Sequence, residues 1–259
     1  MSSIFHASSP LGIAHRGSRL LWPENTLTAF SGAAATGFEH FETDVRVTAD
    51  GVLVCFHDAD LSRTTDGRGP ISATRWEAVA RLDAGHRHRL HEQFPFRGLN
   101  VEVPRFQDLA RAFPHAGLVV DLKADASVEP LASAIEALGA TGRVIVGSFS
   151  GTRLNHFRSI TEGAVATSAG PRETIKAILG GAGGRLLDTP PQAFQVPVSW
   201  YGIPVITERF VKAVHLAGKL VHAWTVNRPQ EMRNLLDLGV DGLITDRPDL
   251  LAPLLGRKA

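Results

Sequence analysis

Cysteine is almost missing from this chain of 259 residues: Cys55 stands alone. One thiol excludes an internal disulfide framework and suits a reducing compartment. Its setting, the apolar run "VLVCF", makes it a buried structural thiol rather than a reactive one. Long apolar runs are missing too. None approaches the roughly 20 residues that cross a bilayer, so no stable membrane insertion is expected. The N-terminal stretch "MSSIFHASSPLGIAHRG" has no basic region followed by an apolar core, so no signal peptide is read there and the expectation is a cytoplasmic protein. Charge of one sign is not in excess. A net charge of +1 leaves no basic stripe for nucleic acid and no acidic tail. What is present is an ordinary globular composition, 44% apolar with mean hydropathy near zero. The composition says nothing of oligomeric state.

Short apolar runs alternate with longer helical patterns. Eight runs read as strands: "GIAHRG" (12–17), "HFETDV" (40–45), "LVVDLK" (118–123), "VIVGSF" (144–149), "GAVATS" (163–168), "AFQVP" (193–197), "VHAWTV" (221–226) and "DGLITD" (241–246). Between them lie helix-like stretches such as "ENTLTAFSGAAATG", "EPLASAIEALGATG", "TRLNHFRSI", "ERFVKAVHLAGK" and "PQEMRNLLDLG", several ending in glycine. Strand and helix in alternation imply a parallel sheet with right-handed crossovers, and eight units in about 250 residues favour a closed (β/α)8 barrel. The alternative, a doubly wound open sheet, usually carries a glycine-rich phosphate loop after its first strand, and "HRGSRLLWPENT" is not that loop. No domain boundary is visible in 1–259. The irregular zone at about 59–104 reads as an insertion capping part of the barrel's C-terminal face.

The stretch "FEHFETDVRVTADGVLVCFHD" (38–58) places charge where strand residues are expected. Asp50-Gly51 predicts a two-residue type I′ hairpin turn. That turn puts Asp44 opposite His57, with Glu42 on the same face two residues away. Two neighbouring carboxylates repel, so a site keeping both ionised normally holds a cation, and oxygen ligands suit Mg²⁺ or Ca²⁺. The plainer reading of a Glu-x-Asp pair is a salt-bridged, solvated hairpin face. Further groups collect at other strand ends: His15 and Arg16 in "AHRG", Asp121 and Lys123 in "VVDLK", Trp224 and Asn227 in "HAWTVN". Acidic ligands, two imidazoles and two cations at the mouth of one barrel are the equipment for displacement at a phosphate ester.

"AHRG", "PENT", "FETDVRVTADGVLVCFHDADLSRTTDGRG", "VVDLK", "VGSF", "HAWTVN" and "GVDGLITDRPD" occur in the order found in the glycerophosphodiester phosphodiesterases. The chain resembles that branch of the PLC-like phosphodiesterase barrels from about 12 to 250. The resemblance implies a TIM-like barrel that hydrolyses small-molecule glycerophosphodiesters to glycerol 3-phosphate and an alcohol. It implies His15 and His57 as the acid/base pair, Glu42, Asp44 and Asp121 as ligands of a divalent metal, and Arg16 and Lys123 as phosphate ligands. Phe149, Gln195 and Trp224, at strand ends, are candidates to line the alcohol pocket. Asn25, at a helix start, is either a cap or a site residue. Two positions depart from the family pattern: Asp121 replaces the usual Glu, and Arg105 replaces Thr. The shorter Asp121 bears on the metal's identity more than on the reaction. Two alternatives stand beside this function. One is the same chemistry on other substrates, as in a lysophospholipase D, for which an exposed apolar rim is expected and only "LLW" (20–22) offers a hint. The other is a phosphodiester-binding module without catalysis.

Overall fold

The computed structural model describes residues 5, 10–180 and 190–257. Most of the N-terminal stretch read as lacking a signal peptide lies outside them. Eight strands run parallel: β1 (Leu11–His15), β2 (His40–Val47), β4 (Gly117–Leu122), β5 (Val144–Gly147), β6 (Ala166–Thr167), β7 (Ala193–Pro197), β10 (Leu220–Trp224) and β11 (Gly242–Thr245). Their order is β6-β5-β4-β2-β1-β11-β10-β7. The two ends of the sheet approach through a parallel bridge between Ser168 and Ala193 and an Ala169 N–H bond to the Ala193 carbonyl of 2.8 Å, so the barrel is nearly closed. Each expected strand overlaps an observed one.

The helices α1 (Leu27–Ala35), α4 (Val128–Ala137), α5 (Gly151–Ile160), α7 (Glu208–Leu216) and α8 (Pro229–Asp237) fall on the stretches read as helical. Thr26, Ser150 and Thr207 each accept a backbone N–H at the start of α1, α5 and α7, satisfying donors that a helix start leaves orphaned. Three short helices, α2 (Trp76–Val79), α3 (Phe106–Ala112) and α9 (Pro248–Leu251), and the longer α6 (Pro171–Gly180) complete the shell. Two short strands, β8 (Ser199–Trp200) and β9 (Ile203–Pro204), form a separate hairpin. Among the described residues no helix is long and apolar enough to cross a membrane.

Strand alternation divides the interior into two zones. Phe41, Val45, Val120 and Val146 point outward to meet the helices in the main core. Ile13, Val119, Ile145 and Ile244 point inward and fill the barrel above Phe5. Two residues further along three of these strands the same inward phase reaches His15, Asp121 and Asp246. The change from packed floor to charged mouth therefore takes one alternation.

The hairpin differs from its expected register. β3 (Leu53–Cys55) pairs antiparallel with β2 as Val45 with Cys55 and Val47 with Leu53. The loop has three residues, not two: the Thr48 N–H reaches the Val52 carbonyl, and the Gly51 N–H reaches the Thr48 carbonyl, both at 3.0 Å. Within the loop only Gly51 has positive φ, +80°, whereas a type I′ turn needs it at Asp50 as well. Asp50 instead uses Oδ1 to accept from the Thr48 hydroxyl and from the Trp76 N–H that starts α2. Asp44 consequently faces Phe56, whose N–H donates to the Asp44 carbonyl at 2.9 Å. The chain leaves the ladder after Cys55, and Arg46 Nε holds the His57 carbonyl at 2.8 Å. His57 lines the same cavity as Glu42 and Asp44, but by this departure and not by cross-strand pairing.

The zone 59–104 has its own small core, in which Leu61, Ile71, Val79, Ala84 and Val103 pack with Val54 and Phe56 of the hairpin arm. It contributes no lining residue to the main cavity. A side chain at Gly51 would meet nothing within 4 Å, so only backbone conformation is at stake there. Gly51→Ala should lower stability by about 1–2 kcal/mol in urea unfolding, the cost of a left-handed conformation for a residue with Cβ. An unchanged midpoint would contradict the loop conformation.

Candidate active site

A cavity of about 570 Å³ opens at the C-terminal end of the barrel. The ladder sets the charged groups in rows: His15 pairs with Glu42, and Asp44 with Asp121. After β1 the chain turns through Arg16, Gly17 and Ser18, all with positive φ. Gly17 is required, because a Cβ there would lie 2.7 Å from the Ala29 Cβ and 2.8 Å from the Phe30 backbone nitrogen. The turn aims the Arg16 N–H at Glu42 Oε2, 3.0 Å away, and Arg16 Nε at Asp44 Oδ2, 3.1 Å away. Asn25 Nδ2 donates to the same Asp44 oxygen at 2.9 Å, while Asn25 Oδ1 accepts from the Thr43 hydroxyl. Thr26, not Asn25, caps α1; Asn25 instead is a buried support of Asp44. Lys123 Nζ lies 2.9 Å from Asp44 Oδ1 and 2.5 Å from Asp121 Oδ2.

Each imidazole is held by a carboxylate. His15 Nδ1 is 2.7 Å from Asp246 Oδ1, and its Nε2 turns toward Glu42 at 3.9 Å. Asp246 is fully buried and also accepts from Arg19 and Asn227. His57 Nδ1 is 2.5 Å from Asp58 Oδ1. The other Asp58 oxygen accepts from Arg63 Nε, and the remaining Arg63 nitrogens donate to Glu24 at 2.7 and 2.8 Å. Glu24 in turn accepts from Arg16 at 3.0 Å. The insertion thus braces His57 and Arg16 together through Arg63.

The acidic pair is electrostatically uneven. Burial, then the charge on Asp44, pushes Glu42 up to about 7, against the pull of His15 and Arg16. Burial pushes Asp44 in the same direction, but Arg16, Lys123 and His57 overcome it and bring that carboxyl down to about 2. Asp121 is raised by burial despite Lys123. Burial lowers His57 below the ordinary histidine range, favouring a neutral ring.

Phe149, Gln195 and Trp224 line the cavity; the rings of Phe149 and Trp224 meet edge to face at 5.7 Å. Arg105 does not. It pairs with Asp108 at 2.7 and 2.9 Å at the start of α3. Nor do His86, His88 and His91. Asp246, Asp58, Glu24 and Arg63 were not assigned roles from sequence, although "TDRPD", "HD", "PENT" and "LSRTT" contain them. A carboxylate beside a histidine, or at the end of an inward-phase strand, is the signal that finds the first two.

Paired histidine–carboxylate dyads around buried acids and cations at a barrel mouth are equipped for acid/base chemistry on an anionic ester, as in the phosphodiesterase class of TIM-barrel enzymes. The family described as glycerophosphoryl diester phosphodiesterase matches residues 15–250, and the chain belongs to it. A probable glycerophosphodiester phosphodiesterase 2 of Mycobacterium tuberculosis is 37% identical over 257 residues, covering 95% of this chain and 90% of that protein. A glycerophosphodiester phosphodiesterase of Caldanaerobacter subterraneus is 30% identical, covering 95% of this chain and 97% of the relative. Among solved structures, a glycerophosphodiester phosphodiesterase of Agrobacterium tumefaciens superposes with a TM-score of 0.77 at 26% identity, covering 94% of this chain and 99% of that one. A phosphodiesterase of Oleispira antarctica in complex with the product sn-glycerol-3-phosphate shares the fold, with a TM-score of 0.76 at 23% identity, covering 96% of this chain and 98% of that one. The protein is an enzyme of this family.

Asp246→Ala should lower kcat by about 10²–10⁴-fold, the range for a positioned acid/base group, with the fold retained by circular dichroism. Wild-type kcat in a folded variant would remove Asp246 from the site.

Proposed function

We propose that this enzyme hydrolyses glycerophosphodiesters to glycerol 3-phosphate and an alcohol by histidine acid/base catalysis at a metal-assisted site. The observation that carries the proposal is the pair of dyads, His15–Asp246 and His57–Asp58, on one cavity with Glu42, Asp44 and Asp121. In each, the carboxylate fixes Nδ1 and leaves Nε2 to exchange protons. One histidine accepts the proton of the attacking hydroxyl and the other donates one to the departing alcohol. A new P–O bond forms, the P–O bond to the alcohol breaks, and the alcohol leaves with that proton. The attacking group is water, or the neighbouring glycerol hydroxyl closing a cyclic phosphate that water then opens; both routes give the same products. The Oleispira antarctica complex with sn-glycerol-3-phosphate supports this choice of product.

The donor set suits a hard divalent cation, Mg²⁺ or Ca²⁺. Asp121 Oδ1 is buried without a hydrogen-bond partner, and burial, then the neighbouring Asp44 anion, raises the proton affinity of Glu42. Among the described residues no three His, Cys, Asp or Glu side chains are already gathered as a ready-made metal cluster, and the Lys123 ammonium bridges Asp44 and Asp121. Glu42, Asp44 and Asp121 would hold the ion, which when bound supplies charge stabilisation at a phosphoryl oxygen. With these carboxylates neutralised, Arg16 and Lys123 are left to pair with phosphate oxygens. The lone buried Cys55 suits the cytoplasmic location that forms part of this proposal.

His57→Ala should abolish alcohol release from glycerophosphocholine while the protein stays folded; wild-type turnover would refute its role. Chelation should remove activity, and Mg²⁺ or Ca²⁺ should restore it. Activity that survives exhaustive chelation would count against the metal. Ligand uptake without alcohol release would mark a binding module instead.

A further inference from the structure

The cavity has two chemically distinct halves. Among the described residues, every charged side chain that lines it comes from β1 and its turn, from the β2–β3 arm, or from β4. The opposite half, built by β5, β7, β10, α6 and the β8–β9 hairpin, is lined mainly by Phe149, Ile175, Ile178, Val196, Trp200 and Trp224, with Thr174 and Gln195 beside them and no charged side chain among the described residues. That wall does not end at the mouth. Ile175 and Ile178 of α6 are 55% and 42% exposed, and Trp200 of β8 is 55% exposed. Beyond them, Leu179 at 70%, Tyr201 at 92% and Ile203 at 70% extend the apolar surface on the same two elements. The hairpin that carries the aromatics is tight, with positive φ at Tyr201 and Gly202, and the Trp200 and Tyr201 rings meet at 5.5 Å.

Scattered exposed apolar residues need no explanation, but Ile175, Ile178 and Trp200 are exposed and line one catalytic cavity together, and apolar side chains clustered at such a place fit a ligand. The "LLW" segment lines no part of this cavity: Leu20 is exposed away from it, and the Trp22 ring packs so tightly on Gly32 that a Cβ there would come within 2.4 Å of it. The occupant of the apolar half is constrained by continuity. It shares one cavity with the phosphate-binding half, so it is attached to the same phosphodiester. An aromatic cage could hold a quaternary ammonium group. Here, however, Ile175, Ile178 and Val196 form an aliphatic side that offers such a cation nothing, and the wall continues outward over a helix.

On the phosphodiesterase function proposed above, we infer that the preferred substrate carries an aliphatic chain, lodged between α6 and the β8–β9 hairpin while the phosphodiester lies against the histidines. The chain belongs either to the glycerol half, as a single acyl group, or to the alcohol that leaves.

Two substrate series below their micelle concentrations test this with the full-length enzyme. The first is glycerophosphocholine acylated from butanoyl to decanoyl, followed by choline release. The second is unacylated glycerol phosphodiesters of alcohols from methanol to decanol, followed by glycerol 3-phosphate release. In one series kcat/KM should rise about twofold per added methylene, half of the roughly fourfold that complete burial gives. The series that rises identifies the half bearing the chain. Ile178→Asp should flatten that slope, a ratio measured within the variant and independent of its absolute rate. If glycerophosphocholine is hydrolysed but both slopes are flat or falling, the inference is wrong and the phosphodiesterase function stands. A slope that persists undiminished in folded Ile178→Asp places the chain elsewhere and also overturns it. No turnover of any substrate would defeat the phosphodiesterase function itself.

Discussion

Asp44 is a carboxylate with almost no contact with water, kept ionised by groups from three separate segments. Arg16 comes from the turn after β1, Asn25 from the approach to α1, and Lys123 from the end of β4. An isolated buried anion is prohibitively costly, whereas one with paired cations and hydrogen bonds is tolerated, and removing any partner exposes the full cost. The three segments are therefore fixed relative to one another by electrostatics as well as by packing. The positions of both histidines follow, because His15 precedes Arg16 and His57 is held through the Arg63–Glu24–Arg16 chain.

The same compensation is incomplete around Glu42, and there the site departs from a purely structural salt-bridge network. Asp44 takes most of the positive charge that Arg16 and Lys123 supply. Glu42 is left buried beside an anion and retains its proton to about neutral pH. A stability-driven design would replace such a group with an apolar one. Its retention, together with the partnerless Asp121 oxygen, points to positive charge that arrives with a ligand. On the far side of the cavity the logic reverses: apolar side chains stay exposed where burial would favour hiding them. Carboxylates short of countercharge and exposed apolar side chains face each other across one opening, and a divalent cation bound together with an amphiphilic phosphodiester would answer both.

Most of the barrel was legible because parallel strands buried on both faces read as continuous apolar runs, and "VIVGSF" or "LVVDLK" have few other interpretations. The inward positions followed from alternation alone. The hairpin register was not legible. Asp50-Gly51 favours a two-residue turn on local grounds, but Asp50 is recruited by Thr48 and Trp76, an arrangement across 26 residues that no local signal encodes. His57 reaches the cavity even so, through a break in the ladder pinned by Arg46. The carboxylate partners Asp58 and Asp246 received no role from the sequence because holding another side chain has no motif of its own; only their places, beside a histidine and at the end of an inward-phase strand, mark them. The helix α6 and its exposed isoleucines were not expected either: apolar residues on the open side of a helix blur the periodicity by which helices are read.

A calorimetric titration of the enzyme with Mg²⁺ and with Ca²⁺, in parallel with Asp44→Asn, addresses the central claim that the buried carboxylates form a cation site. Saturable binding at one site in the wild type, lost in the variant, is the predicted result. A wild type that takes up neither ion, or a folded variant that binds with equal affinity, would contradict it.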